Sequence, residues 1–351
     1  MHINDLLAEA IEREASDLHI TTGVPPIIRV YGELSKLDYP ELTAKDTLAM
    51  LEEVVTEEQA EQFAEFRDID FSYNIEGMGR FRVNAYRQRG VIGIAFRVIP
   101  PEVIPLNNLG LPDVVTDLSR KLSGIILVVG PTGHGKTTTL AGMIDIINTE
   151  RGCHIVTIED PIEYVHRHKK SIINQREVGI DAQSFPRALR AALREDPDVI
   201  LVGEMRDLDT IATAITAAET GHLVLTTLHS GDAATAIDRI IDVFPPHQQG
   251  QVKIQLSVTL QGVIAQQLIP RHDRPGRVVA TEVMIATPAV RNLIREGKTY
   301  QIPSIIQSGI RFGMQTMDTS LQNLYRGGKI SAAEYQSRVT ATEKNVRSAE
   351  A

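Results

Sequence analysis

The stretch "GPTGHGKTTT", Gly130 to Thr139, fits the pattern G-x-x-x-x-G-K-[ST]. Closely spaced glycines let backbone N–H groups curl around an anion, and the lysine reaches the outer phosphates of a nucleotide. On this pattern Pro131, Thr132, Gly133, His134, Gly135, Lys136, Thr137 and Thr138 line the nucleotide. Lys136 neutralises the β/γ-phosphates, and Thr137 offers its hydroxyl to Mg²⁺. The flanks agree with a phosphate site: "GIILVV" (Gly124 to Val129) is an apolar, β-branched run of strand length, and "KTTTLAGMIDIIN" carries Leu140, Ile144 and Ile147 at helical spacing. Strand, glycine loop and helix follow one another as a phosphate cradle requires.

Three further strand ends carry polar chemistry. "TIEDPIEY" clusters Glu159, Asp160 and Glu163 after an apolar run; "DPDVILVGEMRD" ends its run on Glu204; "HLVLTTLHS" ends on His229. In an open parallel sheet, ligands bind beyond the carboxyl ends of the strands, so these groups are expected around the phosphate loop. Glu204 is suited to hold Mg²⁺, directly or through water, or to polarise the attacking water; Glu163 competes as general base, and residue type alone does not rank them. Asp160 and Asp207 read equally well as site carboxylates or as mere loop residues and helix caps. With Leu223 to Leu228 extended at about 3.3 Å per residue, His222 and His229 stand roughly 23 Å apart. His229 falls at the ligand end, whereas His222 serves the far edge or a neighbouring subunit, or is satisfied by local hydrogen bonds; both readings stay open.

The elements that must position these groups alternate from Leu106 onward: strand near 125–129, helix 136–148, strand 153–159, helix 185–195, strand 198–202, helix 208–219, strand 223–228, then a last apolar strand "RVVATEVM" and helices from 286. That rhythm predicts a parallel sheet covered by helices. Residues 1–99 read as a mixed α and β domain. It begins with a helix presenting Ile3, Leu6, Leu7, Ala10 and Ile11, has a second helix over 44–55, and includes a hairpin of "GRFRVNAYR" and "VIGIAFRVIP" turning at Arg89-Gly90. A symmetric turn there faces Phe81 with Val98, Val83 with Phe96 and Ala85 with Ile94, and sets Arg82 opposite Arg97. Like charges so placed repel by up to ~1 kcal/mol and call for an anion. They form either an arginine clamp on a nucleotide's terminal phosphates or a pair relieved by carboxylates such as Asp68 or Asp70. The proline-rich "IPPEVIPL" places a linker at 100–106, between the first domain and a core of 107–285 followed by a helical region of 286–351.

Composition bounds the partners. The 351 residues are 42% hydrophobic and 23% charged, ordinary for a globular protein of two or three domains. A net charge of -9 disfavours nucleic acid as main partner. No apolar run approaches the ~18 residues that cross a bilayer, and the acidic, amphipathic start resembles no secretory signal, so a cytoplasmic location is expected. Cys153 is the single cysteine, so no internal disulfide or cysteine-cluster zinc site can form.

In order and spacing, "GPTGHGKTTT", "TIEDPIEY", "DPDVILVGEMRD" and "TGHLVLTTLHS" resemble the Walker A, Asp box, Walker B and His box of the secretion ATPases that drive type II and type IV secretion and type IV pili. The resemblance covers nearly the whole chain. "ASDLHI" and "PAVRNLIREGK" (Pro288 to Lys298) are similar to the branch that retracts pili in twitching motility.

The resemblance implies an N-terminal PAS-like α+β domain, a RecA-like P-loop ATPase domain and a C-terminal helical region, assembled as a homo-hexamer. It further implies ATP and Mg²⁺ as cofactors, Glu163 and Glu204 as catalytic glutamates, His222 and His229 as the His-box pair, and N-terminal arginines reaching the phosphates. The implied work is pilus disassembly through an inner-membrane platform protein, from the cytoplasmic side of the pilus base. A nucleotide-gated module with little turnover is the alternative. His134 stands where the family usually carries serine. Relatives that extend pili usually carry an extra N-terminal domain and a four-cysteine zinc insert, neither of which is expected here. Within "PAVRNLIREGK", Thr287 as cap, Pro288 at the first turn and Gly297 as stop explain a surface helix; Arg291 and Arg295 are left over as a contact to a partner.

Overall fold

A computed structural model describes residues 2–30, 32–99 and 102–339. Pro100 and Pro101 of the expected linker and the polar tail "ATEKNVRSAEA" lie outside the described residues. The chain divides into two compact units, Met1–Glu102 and Val103–Ala351.

In the first unit β1 (Asp17–Ile20), β2 (Ile27–Val30), β3 (Glu33–Lys36), β4 (Asp68–Ile75), β5 (Gly79–Gln88) and β6 (Val91–Ile99) form one antiparallel sheet in the order β3-β2-β1-β6-β5-β4. The helix Ile3–Glu12 buries Ile3, Leu6, Leu7 and Ala10 against the same core as Phe81, Val83, Ala85, Ile94 and Phe96. The β5–β6 register is the one expected: Phe81 faces Val98, Val83 faces Phe96, and Arg82 faces Arg97. Arg89 and Gly90 both take positive φ, 48° and 82°, as a two-residue turn matching the strand twist demands. The row continues across the sheet, with Asp17 beside Arg97 on β1 and Arg29 beside Asp17 on β2. Arg97 Nε donates to Asp17 Oδ1 at 3.0 Å, while Arg82 Nε lies 3.9 Å from Asp70. The carboxylate that meets Arg97 therefore comes from a four-residue strand, too short for alternation to reveal.

In the second unit β7 (Gly124–Val129), β8 (His154–Glu159), β9 (Ile172–Glu177), β10 (Val199–Val202), β11 (Leu223–Leu228), β12 (Leu260–Pro270) and β13 (Arg277–Ile285) form a sheet in the order β13-β12-β7-β11-β10-β8-β9. Only the β12–β13 pairing is antiparallel. β7, β10 and β11 are buried along their whole length, as a parallel strand covered on both faces must be. Alternation sends Ile125, Leu127 and Val129 into one core and Ile126 and Val128 into the other. Leu106, at the end of the expected linker, is buried with Met143, Ile144 and Ile147 in the second of these cores.

Helices Pro288–Glu296, Ile302–Ser308 and Met317–Arg326 follow the sheet. The first is capped as its sequence indicates: Thr287 accepts from Val290 N, Pro288 sits in the first turn, and Gly297 closes the helix at φ 69°. Arg291 does not stand out toward a partner. Its guanidinium donates to the carbonyls of Ala286 (2.9 Å), Ser257 (2.7 Å) and Val258 (2.5 Å), closing the C-terminus of the helix Pro246–Thr259. Arg295 is exposed.

Candidate nucleotide site

The phosphate loop leaves β7 at Gly130, whose φ of 150° and close approach to β12 admit no side chain: a Cβ there would lie 2.4 Å from Gln266 O. Gly135, at φ 81°, turns the chain into the helix Lys136–Glu150, whose N-terminus presents its free N–H groups and positive dipole end to the loop. Lys136 is buried and its Nζ donates to the Gly130 and Pro131 carbonyls at 2.8 and 3.0 Å, which leaves a third N–H for an anion. Burial lowers its pKa, and the charges of Glu204 and Glu163 oppose that shift. The phosphate loop, "TIEDPIEY" and "DPDVILVGEMRD" thus converge electrostatically on one ammonium.

Glu204 follows β10 and is flanked on both oxygens, with Arg206 at 2.8 Å and His229 Nε2 at 3.1 Å. His229 follows β11, and Arg239 donates to its carbonyl. Lys136, Glu204 and His229 are therefore brought together by the carboxyl ends of adjacent strands β7, β10 and β11. Glu163 sits in the loop after β8, held by its backbone: Ile162 N donates to Glu177 Oε2 at 2.9 Å, and Glu163 N–H is received by the Glu159 carboxyl. Glu159 itself is buried, takes Thr157 Oγ1–H at 2.7 Å and Gln175 Nε2–H at 3.2 Å, and burial pushes its pKa up to about 7.

His222 lies at the opposite end of β11, its Nδ1 at 2.8 Å from Ala217 O and 3.1 Å from Thr220 Oγ1. Within this chain it is satisfied locally and is not part of the cluster. Asp207 caps the helix Leu208–Glu219 through Thr210 N at 2.8 Å. Arg82 and Arg97 belong to the first unit and pair there as described above.

Among the three consecutive threonines, Thr138 shares a hydrogen bond with Tyr164 OH (2.9 Å) and Thr139 donates to Gln266 Oε1 (2.9 Å). Thr137 alone of the three has a hydroxyl with no protein partner among the described residues. Its hard oxygen and the Glu204 carboxylate fit Mg²⁺, which takes few protein ligands and completes its shell with phosphate and water. No cluster of three His, Cys, Asp or Glu side chains able to hold a metal occurs among the described residues.

Sequence reasoning missed the scaffold behind the loop. Gln266 of β12 donates to His134 O at 2.7 Å while accepting from Thr139, Leu268 N donates to His134 Nδ1 at 3.1 Å, and Arg277 reaches Gly133 O at 3.3 Å. His134 therefore carries its proton on Nε2. Burial, with Lys136, Arg277 and Arg338 nearby, lowers its pKa. The signal that could have found this support is the pair Gln266-Gln267 inside the apolar run "LQGVIAQQLIP", since a buried amide demands partners.

A strand, glycine loop and helix at the centre of a parallel sheet, with two glutamates and a histidine arrayed at its carboxyl edge, define a P-loop ATPase. The chain belongs to the type II/IV secretion system protein family, whose model matches residues 1–334. It is 50% identical over 331 residues to the type IV pilus retraction ATPase PilT of Pseudomonas aeruginosa, covering 94% of this chain and 96% of that one. It is 48% identical over 318 residues to a twitching motility protein of Neisseria gonorrhoeae, covering 91% of this chain and 85% of that one. The crystal structure of the pilus retraction motor PilT with bound ADP superposes with a TM-score of 0.89 at 51% identity, over 95% of this chain and 96% of that one. The fold is accordingly an N-terminal PAS-like α+β domain followed by a RecA-like P-loop ATPase domain with C-terminal helices. Among the described residues no helix is long and apolar enough to cross a membrane.

Proposed function

We propose that this chain hydrolyses ATP with Mg²⁺ as a homo-hexameric motor and retracts type IV pili, disassembling the fibre through an inner-membrane platform protein at the cytoplasmic side of the pilus base. The observation that carries the reading is the convergence of Lys136, Glu204 and His229 on one edge of the sheet, in a chain half identical to a pilus retraction ATPase over nearly its full length. Lys136 and the loop N–H groups bind the phosphates, Thr137 and Glu204 hold Mg²⁺, Glu163 and Glu204 polarise the attacking water, and His229 orients Glu204. Arg82 and Arg97 supply positive charge to the terminal phosphates. Their row sets Arg29, Arg97 and Arg82 against Asp17, and with Asp70 3.9 Å from Arg82 it still keeps a positive surplus that suits an anion.

Replacing Lys136 by Ala removes the charge on the transferring phosphates, so phosphate release from Mg-ATP should fall to background with the fold intact by circular dichroism. Hydrolysis at the wild-type rate in that variant would refute the assignment. Light scattering with and without nucleotide tests the ring, and restored twitching in a bacterium deleted for its own retraction ATPase tests the motor role.

A further inference from the structure

Outside every motif named above, one carboxylate is built into the support of the His229 loop. Glu282 lies on β13 between Ala280 and Met284, both buried, on the face that packs under the following helices. It receives the N–H of Ala233 at 2.9 Å and the N–H of Met317. These are the first residues of the helices Ala233–Asp242 and Met317–Arg326, so one side chain closes two helix N-termini. Ala233 is four residues beyond His229. Between them Ser230 Oγ donates to Asp232 O at 3.1 Å, and Arg239, from the same helix, holds the His229 carbonyl. The start of that helix is thereby tied to His229, whose Nε2 lies 3.1 Å from Glu204.

We propose that Glu282 is a positioning residue for ATP hydrolysis: its carboxylate locks the His229 loop to the C-terminal helix Met317–Arg326, and its protonation releases that lock. The proposal rests on the ATPase reading of the site. Two donor N–H groups and two helix dipoles favour the charged form. Burial and the negative neighbours Asp232, from one helix, and Asp318, from the other, oppose it and push the Glu282 pKa up to about 7. The cross-strand neighbour on β12 is Ala265, which adds no charge. A protonated carboxyl would turn an O–H toward a backbone N–H and could serve only one of the two helices well.

The test is steady-state ATP turnover between pH 6 and 8.5 for wild type, Glu282→Gln and Asp318→Asn, with Lys136→Ala as the control that turnover belongs to this site. The expected wild-type kcat rises with pH through neutrality. Glu282→Gln should lose about five-fold in kcat at pH 8, keep its KM within about two-fold, and converge with wild type at pH 6. Asp318→Asn, an exposed position, removes one negative neighbour and should move the rise to lower pH. A Glu282→Gln profile superimposable on wild type overturns the proposal, as does a pH-independent loss, which would mark a purely structural role. If the glutamine variant does not fold, an unmoved profile in Asp318→Asn overturns it on its own. Turnover surviving in Lys136→Ala would instead refute the ATPase reading.

Discussion

Glu159 illustrates how single buried groups set the behaviour of the site. Its carboxyl is enclosed beneath the loop that carries Glu163, and burial holds its pKa at about 7 against an ordinary 4.5. A folded-state pKa raised in this way contributes stability that is complete below the unfolded value and is lost as pH rises through the folded one. The loss is about 3 kcal/mol for a shift of this size. Between pH 5 and pH 8, wild type should therefore lose stability that Glu159→Gln does not, and the difference in urea midpoints should move steadily in the variant's favour as pH rises. A difference independent of pH would show that Glu159 does not titrate in that range. The placement of Lys136 and Glu204 near one another was legible, because each follows an apolar strand run in the sequence. The raised pKa values of Glu159 and Glu282 were not, since enclosure causes them and, at Glu282, the donors come from helices far along the chain.

At the scale of elements, the antiparallel pair β12–β13 is the clearest case of support without a motif. Gln266 satisfies the Thr139 hydroxyl and the His134 carbonyl, groups 127 and 132 positions away, and such distant partners leave no trace in local periodicity. Gln266→Leu keeps the volume but leaves a buried hydroxyl and a carbonyl unpaired, with an expected cost of about 1–3 kcal/mol, read from denaturant unfolding, and weakened binding of a fluorescent ADP analogue. Arg291 plays a comparable part at the helix Pro246–Thr259, where three carbonyls share its fork. Arg291→Lys should recover little of what Arg291→Ala loses in thermal midpoint, because an ammonium cannot reproduce a planar set of donors. Full rescue by lysine would mean that charge alone matters there. The central strands and the phosphate-loop helix were visible beforehand because full burial makes continuous apolar runs, and glycines mark the turns. β9 was not, since its run "IINQRE" alternates too weakly and leaves Ile172 exposed.

At the scale of the whole molecule, the role proposed for the first unit rests on its arginines. The second unit holds the phosphate loop and both candidate glutamates; the first holds a sheet in which Arg29, Arg97 and Arg82 are met by Asp17 and Asp70. The β5–β6 register was readable from the turn alone, because a two-residue loop leaves one pairing, and that pairing gathers Phe81, Val83, Ala85, Ile94, Phe96 and Val98 on one face. The Asp17 partner was not, since β1 lies 80 positions from Arg97. If the arginines serve the phosphates, Arg82→Ala and Arg97→Ala should each lower ATP turnover at least ten-fold with thermal stability little changed; wild-type turnover in both would remove them from the mechanism.

The stitching of Gly130, Gly133 and His134 to Gln266, Leu268 and Arg277 has one more consequence. The floor of the phosphate cradle is made by polypeptide lying well after the final signature histidine, so a fragment trimmed just past His229 would keep every hallmark of a nucleotide binder and still lack the wall its glycines lean on. A piece that keeps these contacts must run at least through Arg277.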